Sequence, residues 1–229
     1  MHEPEHEESA VDQAPKLPVP CLMLVTDRHL AGGEDALVDK VSQAIEGGAV
    51  DVVQLREKDM ARADLIALGA RLRDVTRGSC LLLVNSDYEV AREIEADGIH
   101  LAQGSDWPPP PWTYLWGMSA HDPESAIRAV GMAARYVVLG PIFESSSHPG
   151  QPGAGLGLIR EVSNWSLVPV VAIGGITRES ARDVIQAGAK GVAVISAVLG
   201  PESPHEAAQA LRRAIDDAYP VRPLPRERR

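Results

Sequence analysis

The stretch Val52-Val53-Gln54-Leu55-Arg56-Glu57-Lys58-Asp59 joins a short apolar run to four consecutive charged residues. The apolar residues predict a buried strand, and the charged residues after it cannot all lie in a core. Enzymes built on a β/α barrel carry their chemistry at this end of the strands. We therefore predict that Gln54, Arg56 and Lys58 bind an anion such as a phosphate or a pyrophosphate, with a solvated strand-to-helix turn as the alternative.

The composition limits the class of protein. The 229 residues are 45% hydrophobic and 24% charged, which is typical of a globular domain. The net charge of −10 argues against a general nucleic-acid-binding surface, so an anion site must be local. Neither a signal peptide nor a long apolar span is visible in the sequence, and we expect a cytoplasmic protein without membrane contact. The oligomeric state stays open, with a homo-oligomer among the options.

Eight short apolar runs alternate with segments whose apolar residues recur at helical spacing. Runs without polar alternation indicate strands buried on both faces, and eight of them between helices favour a closed barrel over a doubly wound sheet. We predict an α/β fold, a single (β/α)8 TIM barrel over residues 19–218, between a disordered acidic tail at 1–18 and a C-terminal tail at 219–229. The predicted strands are Leu22–Val25, Asp51–Leu55, Leu81–Val84, Gly98–Leu101, Tyr114–Met118, Tyr136–Leu139, Val168–Ile173 and Gly191–Ile195.

A glycine pair after the seventh run has the features of a phosphate-binding turn. Gly174 and Gly175 follow a strand and open a helix, so backbone N–H groups and the positive end of the helix can approach an anion. Ile195 and Ser196 lie at the end of the next strand, and barrels of this class commonly hold phosphate after strands seven and eight. We predict that these four residues bind phosphate, although a tight turn alone would also explain the glycine pair.

Polar side chains follow three further strands. Asn85 and Gln103 are predicted to hydrogen-bond a ligand at the barrel mouth, with loop-capping amides as the alternative. Ser119 and His121 follow the fifth strand, where a histidine at a helix entry can exchange protons near neutral pH. The alternative for His121 is a side chain that only orders the loop. His100 lies within a strand, and we predict a structural role for it.

The segment Phe143–Gly157 is long and rich in Ser, Gly and Pro. An irregular connection of this length in a compact domain often acts as a lid over an active site. Gly153 and Gly155 permit movement or a close approach of the backbone to a ligand, and Glu144 stands near the start of the segment. A floppy insertion is the alternative.

Eight short motifs are spread along the chain from about residue 20 to residue 200. They are Val25-Thr26-Asp27, Gln54-Leu55-Arg56-Glu57-Lys58, Val84-Asn85, Asp97-Gly98-Ile99-His100-Leu101-Ala102-Gln103, Ser119-Ala120-His121, Leu139-Gly140-Pro141-Ile142-Phe143 and, for the two last strands, Ala172-Ile173-Gly174-Gly175-Ile176 with Ala193-Val194-Ile195-Ser196-Ala197. In this order they resemble the thiamine phosphate synthase superfamily, which includes the TenI-type thiazole tautomerases. The resemblance implies a (β/α)8 barrel and a phosphorylated small-molecule ligand, a thiazole phosphate held at Gly174-Gly175 and Ile195-Ser196.

The chain departs from the synthase pattern at three places. Synthases carry Asn-Asp after strand three, where this chain has Asn85-Ser86, and an Asp where it has Ser105. They also carry Thr-x-Thr-Lys in the long loop, where this chain has Ser145-Ser146-Ser147-His148. The resemblance therefore implies that both Mg²⁺ carboxylates and the pyrophosphate lysine are altered, and Ser is a poor substitute for a carboxylate on Mg²⁺. Asp87 and Asp106 lie one residue further on, where a small shift of register would let them serve as metal ligands.

We therefore expect an isomerase, a thiazole tautomerase that needs neither a metal nor another cofactor. The resemblance implies that His121, assisted by Glu144, moves the proton that aromatises the thiazole carboxylate phosphate. Gln54, Arg56 and Lys58 would face the carboxylate or the empty pyrophosphate site. The first alternative is a Mg²⁺-dependent thiamine phosphate synthase, which joins an aminopyrimidine pyrophosphate to a thiazole phosphate. The second alternative is a non-catalytic binder of thiazole or thiamine phosphate with a regulatory role.

Overall fold

Eight parallel strands pair in one closed sheet in the part of the chain that the structure describes. The structure is a computed structural model and describes residues 14–105, 114–145, 150 and 152–219. The strands pair in sequence order and the last pairs with the first, which confirms the predicted (β/α)8 barrel. The strands are β1 (Cys21–Val25), β2 (Val52–Leu55), β3 (Leu81–Asn85), β4 (Gly98–Leu101), β5 (Leu115–Ala120), β6 (Val137–Leu139), β7 (Val170–Ile173) and β8 (Gly191–Val194).

Helices connect the strands and cover the outer face of the sheet. They are α1 (Arg28–Ala31), α2 (Glu34–Ile45), α3 (Arg62–Thr76), α4 (Tyr88–Glu93), α5 (Pro123–Gly131), α6 (Gly155–Trp165), α7 (Arg178–Gln186), α8 (Ser196–Leu199) and α9 (Pro204–Ala218). The start of α5 follows from its sequence, because Asp122 accepts the N–H of Ser125 and Pro123 occupies a first-turn position that needs no N–H. Among the described residues, no helix has the length and apolar character needed to cross a membrane.

Side chains alternate along the strands between two cores. On β1, Cys21 and Met23 belong to the core inside the barrel, whereas Leu22 and Leu24 belong to the core between the sheet and the helices. Because both faces are buried, the strands appear in the sequence as continuous apolar runs. Side chains fill the barrel interior, so a ligand site lies at the mouth of the barrel rather than along its axis.

The predicted tails lie mostly outside the described residues, at 1–13 and 220–229. Residues 14–18 belong to the predicted N-terminal tail and are described, and both Ala14 and Leu17 are buried. Leu17 packs into the core inside the barrel. The last residues of the predicted tail therefore lie against the barrel.

Candidate active site

An open cavity lies at the carboxyl ends of the strands, which is the edge where the sequence predicted the chemistry. Parallel strands bring these ends together, so residues far apart in the sequence meet here. His100 lines the cavity as well, although its position within a strand predicted a structural role. The predicted site residues in the lining are Gln54, Arg56, Lys58, Asn85, Gln103, Ser119, His121, Gly174, Gly175, Ile195 and Ser196.

Three predicted site residues do not line the cavity. The Glu144 side chain is exposed, because the spacing of residues in a loop does not determine where a side chain points. A Cβ on Gly153 would overlap the Ile142 carbonyl oxygen, so this glycine serves the packing of the loop. Gly155 begins α6 with a φ of 74° and donates its N–H to the same carbonyl at 2.9 Å. The predicted lid falls partly on residues 146–149 and 151, outside the described residues.

Residues 56–59 form a cation loop after β2, with Arg56 and Lys58 in the cavity lining. The Arg56 N–H donates to Thr26 Oγ1 at 2.9 Å, which joins the loop to the end of β1. The charge of Arg56, followed by burial, lowers the pKa of Lys58. Two cations this close repel each other, and an anion between them would relieve the repulsion. The cation loop therefore has the electrostatics of an anion site.

The acidic residues of the cation loop bind Arg28 and do not line the cavity. Glu57 is 6% exposed and accepts the Arg28 backbone N–H at 3.1 and 3.2 Å and the Arg28 guanidinium at 3.2 Å. Asp59 accepts two bonds from the same guanidinium, at 2.6 and 2.7 Å, and the first of the causes that lower its pKa is this interaction. The sequence pattern indicates no role for Glu57 or Arg28. Their contacts hold the loop so that its two cations face the cavity.

The residues after β7 and β8 form a glycine edge, which consists of Gly174, Gly175, Ile195 and Ser196. The φ angles of Gly174 and Gly175 are 101° and 62°, in the region that favours glycine. A Cβ on Gly174 would lie 2.7 Å from Pro141 Cα, and a Cβ on Gly175 would overlap the Glu144 carbonyl oxygen. Glycine is therefore needed at both positions, because a side chain there would collide with the segment that follows β6.

A buried histidine lies under the cavity beside the cation loop. His100 is 2% exposed, and its Nε2 lies 2.8 Å from Ser119 Oγ. Its Nδ1 lies 3.1 Å from the hydroxyl of Tyr136, a residue to which the sequence pattern gives no role. Burial, followed by the charge of Arg56, lowers the pKa of His100 to about 3. The ring is therefore neutral near pH 7, so it donates its one N–H to one of these two neighbours and accepts a hydrogen bond from the other.

His121 lies on the rim of the cavity, where its Nδ1 contacts the carbonyl oxygen of Gly140. A carbonyl only accepts hydrogen bonds, so the neutral His121 ring carries its proton on Nδ1 and keeps a lone pair on Nε2. The backbone N–H of His121 donates to Ser125 Oγ at 3.1 Å, which ties the residue to the first turn of α5. His121 is therefore both a loop-ordering residue and a cavity-lining one.

Gln103 presents an unused hydrogen-bond acceptor. Its Oε1 is buried and has no hydrogen-bond partner within the part of the chain that the structure describes. Its side chain also bonds the Asp122 carboxylate, which contributes to the lowered pKa of that group after the backbone N–H of Ser125. A buried oxygen without a donor is costly, and a ligand N–H would satisfy it.

The described residues do not provide the oxygen ligands of a magnesium site. Asp87 Oδ1 accepts a backbone N–H of α4 at 3.1 Å, its Oδ2 accepts a bond from Arg62 at 2.9 Å, and it does not line the cavity. Ser86 and Ser105, which replace the family's carboxylates, hydrogen-bond to the backbone of the loop after β4. In the described ranges, no three His, Cys, Asp or Glu side chains are placed to hold a metal ion. Asp106 lies outside the described residues, and we derive no step through a metal.

Comparison with known proteins links the chain to thiamine biosynthesis. The family model described as thiamine monophosphate synthase matches residues 22–198. A thiamine-phosphate synthase of Roseiflexus sp. (strain RS-1) is 42% identical over 208 residues, which are 87% of this chain and 86% of that protein. A thiamine-phosphate synthase of Methanoregula boonei is 38% identical over 204 residues, 86% of this chain and 94% of that protein. The solved structure of a thiamine phosphate pyrophosphorylase from Pyrococcus furiosus matches with a TM-score of 0.76 at 32% identity, covering 86% of this chain and 96% of that one.

These similarities correct the prediction of a thiazole tautomerase. The relatives are named as synthases, which are transferases, and the tautomerase and isomerase hypotheses are wrong. Those hypotheses depended on a few substituted loop positions, namely Ser86, Ser105 and His148. The similarity to synthases, in contrast, extends over nearly the whole barrel. Substitutions in loops are weak evidence about activity, because loops tolerate change more readily than the strands that position the site.

Proposed function

The chain belongs to the thiamine monophosphate synthase family, and we propose that it is a transferase that joins an aminopyrimidine pyrophosphate to a thiazole phosphate. One structural observation supports this proposal in addition to family membership. A single cavity is lined by the cation loop after β2 and by the glycine edge after β7 and β8, with β1 between the loop and the nearer end of the edge. A reaction between two anionic substrates needs two anion sites at one cavity.

The cation loop suits the leaving group of this reaction. The thiazole ring nitrogen donates its lone pair to the methylene carbon of the aminopyrimidine, a C–N bond forms, and the C–O bond to pyrophosphate breaks. The pyrophosphate leaves with the electron pair of that bond and gains negative charge as it departs. Arg56 and Lys58, already held side by side in the cavity lining, would stabilise this charge without moving.

The glycine edge suits the phosphate of the thiazole. Gly174 and Gly175 leave no side chain between the backbone and the cavity, and Ser196 adds a hydroxyl at the same edge. Backbone N–H groups hold a phosphate by hydrogen bonds and need no cation. The cation loop and the glycine edge would thus each select a different anionic group, the pyrophosphate at the first and the thiazole phosphate at the second.

The amide side chains at the ends of β2, β3 and β4 suit the aminopyrimidine ring. Gln54 is 3% exposed, and its Nε2 donates weakly to Met23 Sδ at 3.5 Å, which leaves its oxygen for a ligand. The unpaired Gln103 Oε1 would accept a bond from the exocyclic amine, and Asn85 would hydrogen-bond the ring or its substituents. The joining reaction forms its bond from a lone pair and moves no proton. We therefore assign His121 to ligand contact and give Glu144 no role.

The proposal is tested by incubating the purified protein with aminopyrimidine pyrophosphate and thiazole phosphate, with Mg²⁺ in one arm and a chelator in the other. We expect thiamine phosphate and pyrophosphate to appear in equal amounts in the Mg²⁺ arm. Absence of both products there would overturn the proposal. Tight binding of thiazole phosphate without turnover would instead favour the non-catalytic binder. The oligomeric state and a cytoplasmic location stay predictions.

A further inference from the structure

Three side chains form a hydrogen-bonded chain that runs from the barrel interior to the cavity. The Tyr136 hydroxyl lies 3.1 Å from His100 Nδ1, and His100 Nε2 lies 2.8 Å from Ser119 Oγ. Tyr136 and His100 are buried, whereas Ser119 is half-buried and lines the cavity. One end of this row of hydrogen bonds is therefore closed, and the other end opens onto the cavity.

The closed end fixes the direction of these hydrogen bonds. Tyr136 is fully buried, and within the described residues His100 is the one recorded hydrogen-bond partner of its hydroxyl. A buried O–H must donate to an acceptor, or it loses the hydrogen bond that water would give it. Nδ1 of His100 is that acceptor, so the ring proton lies on Nε2 and is donated to Ser119 Oγ. Ser119 thus accepts from His100, and its own proton is left to donate into the cavity.

The packing around Tyr136 supports this arrangement. A Cβ on Gly117 would overlap the Tyr136 ring, so the glycine in β5 provides the space in which the ring lies. Gly117 pairs with His100 across β4 and β5, and the rings of His100 and Tyr136 stack with their centroids 5.7 Å apart. The ring of Tyr136 therefore reaches His100 for two reasons. The register of β4 and β5 places Gly117 beside His100, and Gly117 has no side chain to block the ring.

We propose that Tyr136 is a positioning residue, which acts through His100 to hold the Ser119 hydroxyl as a hydrogen-bond donor to an anion beside Arg56. Arg56 and Ser119 line the same cavity, and the charge of Arg56 reaches His100. This arrangement needs a neutral His100 with its proton on Nε2. With the proton on Nδ1 instead, Nε2 could not donate to Ser119 Oγ, and a cationic ring could not accept the hydrogen bond of Tyr136. That the anion is a pyrophosphate group rests on the proposed function.

The direction of the hydrogen bonds between Tyr136, His100 and Ser119 is tested on the unaltered protein by ¹⁵N NMR of the histidine side chains. His100→Gln is used to assign the signals. We expect His100 to be neutral at pH 7, with its proton on Nε2 and with Nδ1 as a hydrogen-bonded acceptor. In Tyr136→Phe the Nδ1 resonance should move toward that of an acceptor without a donor. A proton on Nδ1 in the unaltered protein, or a cationic ring, would overturn the proposal, whether or not the variants fold.

The effect on the ligand is tested by titrating pyrophosphate into the protein by calorimetry. Ser119→Ala should weaken binding by roughly tenfold or more, as expected for a lost hydrogen bond to a charged group. Tyr136→Phe should weaken it by a smaller factor, and the double variant should bind no more weakly than Ser119→Ala alone. Tyr114→Phe, which removes a hydroxyl outside the cavity lining, should leave the affinity unchanged.

Additive effects of Tyr136→Phe and Ser119→Ala, full affinity in Tyr136→Phe, or no pyrophosphate binding by the unaltered protein would each overturn the proposal. Neither the NMR nor the titration requires turnover. Failure of the hydrogen-bonded chain is therefore distinguishable from failure of the joining reaction, which is measured by product formation.

Discussion

The cation loop and the glycine edge both suit an anion, but they do so by opposite means. In the cation loop two charged side chains face the cavity, and their position depends on the ion pairs of Arg28 with Glu57 and Asp59. In the glycine edge there is no charged side chain, and Gly174 and Gly175 line the cavity with backbone alone. The difference suits the two ligands, since a departing pyrophosphate gains charge during the reaction and a bound phosphate does not.

The largest effect is expected from removing one charge of the cation loop. Arg56→Met should lower kcat by roughly 10²- to 10³-fold, as for the loss of one preorganised donor to developing charge. The KM for thiazole phosphate should stay nearly unchanged, because the glycine edge is intact. Steady-state kinetics with each substrate varied in turn measures both quantities.

The matched control for Arg56 is Arg71→Met on α3. Arg71 pairs with the exposed Asp35, away from the cavity. This control should change kcat by less than about twofold. Equal losses in the two variants would contradict the assignment of Arg56 to the leaving group.

Gly175→Ala tests the role of the glycine edge in binding thiazole phosphate. The new Cβ would overlap the Glu144 carbonyl oxygen at a φ of 62°, so the loop must move and the glycine edge loses its shape. We expect the KM for thiazole phosphate to rise on the order of tenfold to a hundredfold, from the loss of one or more hydrogen bonds to a charged group. The KM for aminopyrimidine pyrophosphate should change little.

Gly78→Ala is the control for Gly175→Ala, because it adds backbone strain without changing the glycine edge. Gly78 has a φ of 77°, but a Cβ there meets nothing within 4 Å. This variant should lose roughly 1 kcal/mol of stability and keep the kinetic constants of the unaltered protein. A rise in KM in Gly78→Ala similar to that in Gly175→Ala would mean that general destabilisation, rather than the glycine edge, controls thiazole phosphate binding.

A smaller effect should follow from loosening the cation loop without removing a cation. Glu57→Gln keeps the shape of a buried side chain but removes the charge that binds Arg28. We expect the KM for aminopyrimidine pyrophosphate to rise about tenfold, since one charge-assisted bond is worth about that factor. Glu95→Gln, which breaks an exposed pair with Arg77, is the matched control and should have no kinetic effect. An unchanged KM in Glu57→Gln would show that the loop holds its position without Arg28.

The last prediction concerns stability and its dependence on pH, rather than kinetics. An unfolded histidine takes up a proton below pH about 6.5, whereas the pKa of His100 in the folded protein is about 3. Between these values the unfolded state binds more protons, so lowering the pH destabilises the fold by up to about 1.4 kcal/mol per pH unit. The free energy of unfolding of His100→Gln should therefore fall less steeply over this window, measured by urea denaturation at several pH values. Parallel curves for the two proteins would contradict the burial of a neutral His100 beside the cation loop.

The sequence predicted the barrel well because parallel strands buried on both faces leave apolar runs that need no tertiary information. It also predicted that the residues of the cation loop and the glycine edge meet at one mouth, since residues that follow such strands come together there. The ends of strands were less certain, and β6 begins at Val137 instead of Tyr136. That one residue matters, because Tyr136 turns out to lie against His100 in the barrel interior.

The remaining features depend on side-chain directions that spacing does not specify. Glu144 was predicted to assist catalysis, but its side chain points to solvent. His100 was predicted to be structural, and the structure places it between Tyr136 and a cavity-lining serine. The role of Glu57 as a buried partner of Arg28 depends on a contact between the cation loop and the start of α1, two residues that are 29 positions apart. The substitutions in the loops indicate the wrong activity, because the similarity to synthases extends over most of the chain.

The most direct test of two separate anion sites is a crystal structure with pyrophosphate and thiazole phosphate bound together. We predict two distinct positions, with the pyrophosphate against Arg56 and Lys58 and the thiazole phosphate group against Gly175 and Ser196. Both anions competing for one position, or a thiazole phosphate group bound at the cation loop, would contradict the division of the cavity into a charged site and a backbone site.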